Sequence, residues 1–157
     1  MRIRPFLASD AVETAKTHIN TIRYINSKDY SSKEIMVWSR SSSARKLRNS
    51  MKKRIRFVAV ENKKIIGFCD FSHDGELTGL YVHKDFQNKG IGLALLKRLE
   101  KEAKNQGHLE LSLHSTITAK NFYQANGYKV IKKEKFKIKK NYLTVYFMKK
   151  KITKTLA

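Results

Sequence analysis

The chain has 157 residues, 41% of them hydrophobic, which favours one folded domain (residues 1–157) over a disordered or fibrous chain. It has no apolar run near the roughly 20 residues of a membrane span, and its single cysteine, Cys69, rules out a disulfide framework or a cysteine-rich zinc site. Its net charge of +21 fits either a solvated lysine-rich surface or a polyanionic partner. We therefore expect a cytoplasmic protein with no metal, no signal peptide and no membrane contact.

The first third of the chain is predicted to contain one strand and three helices. The strand covers residues 3–6, and a helix follows from about residue 10 to residue 25. Residues 31–34 have the spacing of a capping box, which predicts the start of a second helix. A third, short helix is expected at residues 44–51.

Two features of this region leave alternatives open. Residues 40–56 carry eight basic side chains and no acidic one, which is typical of a solvated helical face or of a patch that contacts phosphates. Tyr30 and Trp38 either line a substrate pocket or belong to the core, because aromatic residues are common in both settings.

Three strands are predicted next, and they form an antiparallel meander. They cover residues 56–60, 65–72 and 76–82. The sequence His73-Asp74-Gly75 favours a tight hairpin turn between the last two. By alternation along the third strand, one face is expected to carry Glu76, Thr78, Leu80 and Val82.

The turn Gln87-Asn88-Lys89-Gly90-Ile91-Gly92 joins this meander to a strongly periodic helix at residues 91–106. The first N–H groups of a helix have no partner within it, and the helix dipole makes that end partly positive. Gly90 and Gly92 lack the Cβ atoms that would hold a ligand away from these groups. The sequence therefore predicts an anion site suited to a pyrophosphate.

The remaining elements complete a sheet. They are a strand at residues 109–113, a helix at 119–125, strands at 128–138 and 142–148, and a frayed basic tail at about 149–157. The strand–helix–strand order across residues 76–113 implies a right-handed crossover and hence a parallel pair. The predicted fold class is α+β, with a mixed, mostly antiparallel sheet of six to seven strands, a central parallel pair and about four flanking helices.

Two motifs carry a resemblance to a known family. Residues 80–92 contain a strand followed by Gln-x-x-Gly-x-Gly, and residues 119–128 contain Ala119, Tyr123 and Gly127 at a fixed spacing. Together they resemble the GNAT superfamily of acetyl-CoA-dependent N-acetyltransferases, and the order of elements agrees over about residues 2–148. The resemblance implies that the two central parallel strands splay apart and that acetyl-CoA lies in the cleft between them.

The resemblance also implies which residues hold acetyl-CoA, the co-substrate. Backbone amides of the turn would bind the pyrophosphate, and strand backbone would pair with the pantetheine arm. The implied residues are Leu80, Tyr81, Val82, Gln87, Asn88, Lys89, Gly90, Ile91, Gly92, Leu93, Thr116 and Lys120. Many family members have asparagine at the position of Thr116 and arginine at that of Gln87. A hydroxyl can partly replace the amide, and Lys89 or Lys120 can restore the charge.

The implied reaction needs a base and an acid. A lysine-type amine, with an ordinary pKa of about 10.4, must lose a proton before it attacks the thioester, and the leaving thiolate must gain one. Tyr123 is the implied general acid. Glu76 is either the base, as on the same strand of several family members, or a solvated residue after a turn. His114 is a base, a substrate contact or a satisfied polar residue.

We expect the acceptor to be a primary amine of a small molecule or a protein, and the transfer to be direct, without an acetylated Cys69. The predicted acceptor contacts are Tyr30, Trp38 and Asp70. Two alternatives use the basic surface: an RNA- or ribosome-directed acetyltransferase, and a non-catalytic binding module with the same fold. Nucleic acid is the less favoured partner, and the sequence leaves both a monomer and a homodimer open.

Overall fold

The computed structural model describes residues 1–152, which form one sheet with helices on both faces. The strands are β1 (Arg2–Pro5), β2 (Arg54–Glu61), β3 (Lys64–Ser72), β4 (Glu76–Val82), β5 (Glu110–Thr116), β6 (Lys129–Ile138) and β7 (Asn141–Lys151). The helices are α1 (Ala11–Tyr24), α2 (Ser32–Arg40), α3 (Ala44–Asn49), α4 (Ile91–Asn105) and α5 (Lys120–Ala125). None of the helices in residues 1–152 combines the length and apolar character that crossing a bilayer requires.

The strands lie in the order β1-β2-β3-β4-β5-β7-β6. Every neighbouring pair is antiparallel except β4 and β5, which are parallel and joined through α4. A parallel pair needs such a long crossover, and a helix commonly supplies it. The predicted α+β class, with a mostly antiparallel sheet and one central parallel pair, is confirmed.

The parallel pair is short because β4 contains a bulge. β4 and β5 pair only at Glu76 with Ser112 and at Leu77 with Leu113. On the other side of β4, the register with β3 shifts so that Thr78 has no partner residue. A bulge bends its strand and increases the local twist, so β4 turns away from β5 directly after Leu77. The alternation predicted for Glu76 through Val82 is therefore wrong, because the bulge breaks the period of two.

The two faces of the sheet bury different clusters of side chains. On one face, α4 packs Leu95, Leu96, Leu99 and Ala103 against the strands, and all four are essentially inaccessible to solvent. This is the apolar stripe that the periodicity of residues 91–106 predicts. On the other face, α1 and α3 cover a cluster that includes Val58 and Phe68.

The buried stripe of α1 contains threonines as well as apolar residues. The hydroxyl of Thr17 donates to the carbonyl of Ile65 at 3.1 Å, and that of Thr21 donates to the carbonyl of Val82 at 2.9 Å. Buried hydroxyls are tolerated when they make such bonds. Thr21 thereby ties α1 to the end of β4, next to the turn that leads into α4.

The last strand extends beyond its predicted end. Residues 149–151 pair with β5, and Ile152 is only 3% exposed. The prediction of a frayed tail is therefore wrong for residues 149–152, because strand pairing and burial hold this segment. Residues 153–157 of that predicted tail lie outside the described residues.

A buried ion pair connects four elements of the fold. The Nε atom of Arg56 donates to Oδ2 of Asp70 at 2.7 Å, and both side chains are almost completely buried. The other guanidinium nitrogens donate to the carbonyl of Leu47 and the hydroxyl of Ser50, each at 2.9 Å. The hydroxyl of Thr78 donates to Oδ1 of Asp70 at 2.6 Å. The pair thus joins α3, β2 and β3 to the bulge in β4.

We predict that Asp70→Ala lowers the free energy of unfolding by about 3–5 kcal/mol, because it leaves the buried Arg56 guanidinium without a counter-charge. Urea denaturation followed by circular dichroism measures the loss. The control is Glu102→Ala, which removes the surface pair that Arg98 and Glu102 form at 3.4 Å and should cost less than about 0.5 kcal/mol. A loss below about 1 kcal/mol for Asp70→Ala would show that the pair is not a main support of the fold.

Candidate active site

A cleft of about 440 Å³ opens where β4 and β5 part. Its walls come from the end of α1, from β4, from the turn into α4, and from β5 and the segment that follows. The lining residues are 21, 25–26, 77–82, 86–88, 90–93, 114–116, 118–119 and 122–123. Its narrow end lies beside Leu77 and Leu113, the last residues that β4 and β5 pair; we call this end the vertex of the cleft.

The wide end of the cleft is the N-terminus of α4. Gly90 has a left-handed conformation with φ of +78°, which L side chains rarely adopt, and a Cβ atom there would meet nothing within 4 Å. Ala94 is the first helical residue whose N–H bonds back, at 3.1 Å to the carbonyl of Gly90. The N–H groups of Ile91, Gly92 and Leu93 have no partner in the described part of the chain. This free, open end of a helix fits an anionic group.

The side chains of the turn mostly serve the turn itself. The Nε2 atom of Gln87 donates to the carbonyl of Val82 at 2.6 Å, which closes the chain back onto β4. The ammonium of Lys89 lies over the ring of Phe86 at 5.3 Å, and that of Lys120 lies over the ring of Tyr146 at 4.4 Å. Neither lysine lines the cleft. An anion at this end would therefore be held mainly by backbone amides.

The side of the cleft formed by β4 has an open strand edge. Leu80, Tyr81 and Val82 all line the cleft, and β5 pairs with none of them. The Tyr81 ring points toward α1, where it stacks on Phe68 at 5.5 Å and contacts the His18 ring at 4.2 Å. An unpaired strand edge of this kind can accept an extended ligand as an additional strand.

Tyr123 lies on the α5 side of the cleft, with its side chain 4% exposed. Its ring packs edge-on against Phe122 at 5.4 Å and against Tyr128 at 5.6 Å. Burial raises the pKa of the Tyr123 phenol, because the charged phenolate is disfavoured away from water. The phenol is therefore neutral at physiological pH and carries a proton that it can donate.

The vertex carries a histidine between two carboxylates. His114 lines the cleft, its Nδ1 atom lies 3.1 Å from Oε1 of Glu76, and its Nε2 atom lies 2.9 Å from Oε2 of Glu134. The structure thus brings together Glu76 and His114, which the sequence proposes separately as the base. Within residues 1–152, no group of three or more His, Cys, Asp or Glu side chains is placed to hold a metal ion.

Two polar groups of the cleft have unused hydrogen-bonding capacity that a bound ligand can satisfy. The Oδ1 atom of Asn26 and the Oγ1 atom of Thr118 are buried, and neither has a hydrogen-bond partner within the described residues. An unsatisfied buried polar group costs about 1–3 kcal/mol, which a ligand that supplies the missing partner can recover. Thr116 is different, because its Oγ1 accepts the N–H of Ala119 at 3.1 Å and so supports the start of α5.

Three predicted acceptor contacts lie away from the cleft. Asp70 is 2% exposed and engaged by Arg56, so its carboxylate is unavailable to an acceptor. Tyr30 and Trp38 belong to a core cluster, with their rings 5.5 Å apart. Tyr30 still shapes the cleft, because its hydroxyl donates to the Thr144 carbonyl at 2.6 Å and accepts the Ile117 N–H at 2.9 Å. The structure therefore supports none of the three as a direct contact.

The lining or bridging residues that the sequence did not predict as part of the site include Glu134, Asn26, Phe122 and Thr118. Glu134 had one visible signal, since it is the only acidic residue between Lys129 and Lys140. A lone carboxylate in such a run has many lysines to pair with, so its contact with His114 could not be inferred. Asn26 and Thr118 lie outside both motifs, and Phe122 occupies a position that its motif does not specify, so only the path of the chain around the cleft brings the three to it.

A sheet that opens between two parallel strands, with a free helix N-terminus at the wide end, is the architecture of coenzyme-A-dependent acyltransferases. The family comparison makes this specific. The family model described as an acetyltransferase (GNAT) domain matches residues 26–152, which is most of the chain. The chain belongs to the GNAT acetyltransferase family.

Relatives of known structure or curated description agree with this membership. An uncharacterized N-acetyltransferase of Escherichia coli K12, YafP, is 25% identical to this chain over 152 residues, and the alignment covers 96% of each protein. A GCN5-related N-acetyltransferase structure from Rhodopseudomonas palustris superposes with a TM-score of 0.92 at 25% identity, over 96% of this chain and 94% of that one. The PaiA N-acetyltransferase of Thermoplasma acidophilum, solved with coenzyme A, has a TM-score of 0.78 at 26% identity, over 96% and 98% of the two chains.

We predict that Gly90→Ala weakens coenzyme A binding about tenfold, a loss of about 1.4 kcal/mol, because a Cβ atom strains the turn that aims the free amides. Isothermal titration calorimetry measures the affinity. Gly107→Ala is a matched control: Gly107 has φ of +88° and open space around its Cβ position, but lies at the other end of α4. Both changes should destabilise the fold by about 1 kcal/mol, and only the first should affect binding. Equal coenzyme A affinities in the two variants would show that the turn at Gly90 does not contribute to coenzyme A binding.

Proposed function

We propose that this protein transfers an acetyl group from acetyl-CoA directly to a primary amine of a small molecule or a protein, within a complex of all three. The observation that carries the proposal is the opening of the sheet after Leu77, between the free amides of α4 and the phenol of Tyr123. The coenzyme A complex of the PaiA relative supports the same co-substrate.

In this proposal the cleft holds acetyl-CoA along its length. The N–H groups of Ile91, Gly92 and Leu93 would bind the diphosphate at the wide end, where the helix dipole favours negative charge. The free edge of β4 at residues 79–82 would pair with the amides of the pantetheine arm. The thioester would then reach the vertex, near both Tyr123 and His114.

The proposed reaction would involve four proton transfers at the vertex. The acceptor ammonium first gives a proton to the base, formed by His114 with Glu76. The free amine then forms a C–N bond to the acetyl carbon while the C–S bond breaks, and the leaving thiolate takes the proton of Tyr123. The nitrogen loses its second proton as the amide forms, which restores the phenol, and the imidazolium returns its proton to solvent.

A direct transfer is favoured over one through Cys69. The Cys69 side chain is fully buried among apolar residues, and its Sγ atom contacts the carbonyl of Leu95 at 3.5 Å. Burial raises the pKa of this thiol, so the thiolate needed for attack on a thioester does not form. We also propose a single cytoplasmic domain, as a monomer or homodimer, for the full chain.

A second candidate acceptor is an amine carried by RNA or by a ribosomal protein. β6 is the edge strand of the sheet, and its residues Lys133, Lys135 and Lys137 are exposed on one face opposite Thr144 and two tyrosines of β7. Cations interleaved with aromatic rings suit single-stranded nucleic acid. Lysines also protect edge strands from aggregation, so this surface alone does not favour RNA over the first candidate.

We predict that Tyr123→Phe lowers kcat at least about tenfold while the affinity for acetyl-CoA stays unchanged, because only the donated proton is lost. Steady-state kinetics against a panel of amines measure this. Tyr128→Phe is the control, since its hydroxyl bonds to Glu100 at 2.8 Å and does not line the cleft. Unchanged turnover in Tyr123→Phe would remove the general-acid role. A wild-type protein that acetylates no amine would favour the non-catalytic binding module.

If the acceptor is carried by RNA, we expect RNA binding to depend on salt. Binding of a single-stranded RNA should weaken with salt, with log K falling by about 0.7 per contacted phosphate for each unit of log[salt]. Changing Lys133, Lys135 and Lys137 to Gln should flatten this slope, whereas changing the exposed Lys101 and Lys104 of α4 should not. A flat plot for the wild type would exclude phosphate contacts as the source of binding.

A further inference from the structure

The contacts of His114 require more protons than a neutral imidazole has. Its two ring nitrogens each lie within hydrogen-bond distance of a carboxylate oxygen, at 3.1 Å to Glu76 and 2.9 Å to Glu134. Ionised carboxylates only accept hydrogen bonds, and a neutral imidazole has one N–H to donate. Both contacts are satisfied together only when His114 is an imidazolium. The geometry of the two contacts therefore suits the imidazolium better than the neutral ring.

Glu134 reaches His114 across an intervening strand. β7 lies between β5 and β6, so the two side chains come from strands about 10 Å apart. They meet beside the ring of Phe147, which packs on the His114 ring with 5.0 Å between centroids. Holding two long side chains in this geometry costs conformational entropy, which a specific interaction must offset.

The other charged groups near this contact come from β6 and β7. Lys132 places its Nζ atom 3.0 Å from Oε1 of Glu134, and this ammonium lowers the pKa of the Glu134 carboxyl. Lys149 lies with its Nζ atom 5.6 Å from the centre of the Phe147 ring and 3.5 Å from Glu110. Glu134 thus stays ionised, with one oxygen on Lys132 and the other on His114.

We propose that Glu134 is a positioning residue for the acetyl transfer, acting through His114; the proposal rests on the proposed function. Glu76 accepts one N–H of the imidazolium, and Glu134 accepts the other. Together they stabilise the form of His114 that results when the acceptor ammonium gives up its proton. With the ammonium of Lys132 counted, the cluster has one net negative charge while His114 is neutral, and this charge attracts a cationic amine to the vertex in a chain whose net charge is +21. Glu134 would therefore support both the proton transfer and the approach of the acceptor.

The decisive variant is Glu134→Gln, which keeps the side-chain shape and removes the charge. We expect kcat/KM for the amine to fall about tenfold, while the Kd of coenzyme A stays unchanged. Because the imidazolium loses an anionic partner, the acidic limb of the pH profile should move to lower pH. The nitrogen chemical shifts of the His114 ring, measured by NMR on the whole protein, should show less imidazolium at a fixed pH.

The matched control is Glu110→Gln. Glu110 also lies on a strand and pairs with a lysine, Lys149, but it does not touch His114 or the cleft. Its replacement should leave kinetics, pH profile and the His114 signals unchanged. A purely structural role for Glu134 would lower activity without moving the acidic limb or the ring shifts, and that result would overturn the proposal.

The two proposals fail in different ways. If the wild type acetylates no amine, the proposed function fails, and the NMR measurement alone then decides whether Glu134 controls the His114 ring. If the wild type is active but Glu134→Gln keeps its kinetics, pH profile and His114 signals, acetyl transfer stands and the role of Glu134 is refuted.

Discussion

The early end of the β4–β5 pairing is the constraint on which the cleft depends. The two strands share a register for only two residue pairs, and the bulge at Thr78 follows at once. The bulge is itself anchored, because Thr78 bonds to Asp70 and Asp70 is held by the buried guanidinium of Arg56. A regular strand at this place would continue to pair with β5 and leave no free edge for a ligand. The ion pair thus supports the site without touching it.

The open sheet lets side chains from opposite faces line one cleft. Tyr123 belongs to the cluster packed under α4. Leu113 belongs to the same cluster, so its neighbour His114 points to the other face by the alternation of a strand. Tyr123 and His114, the proposed acid and base, therefore come from opposite faces of the sheet, and both line the cleft. This separation suits a reaction in which one group gains a proton and the other loses one.

The charge of the molecule is distributed unevenly around this site. Lysines are exposed along the edge strand β6, while two of the thirteen acidic residues converge on His114. At the wide end, by contrast, the available positive charge is that of backbone amides, since Lys89 and Lys120 lie over aromatic rings. Each end of the cleft therefore presents a few placed groups within the positive background field of the whole molecule.

Local patterns in the sequence were sufficient for most of the elements and for the glycine turn into the N-terminus of α4. The periodicity of α4, the capping box at residues 31–34 and the left-handed Gly90 are all decided by near neighbours along the chain. The bulge, the burial of Asp70 and the contact of Glu134 with His114 were decided only by the tertiary structure. Each depends on which strands are neighbours and in what register, and packing of the whole chain sets both.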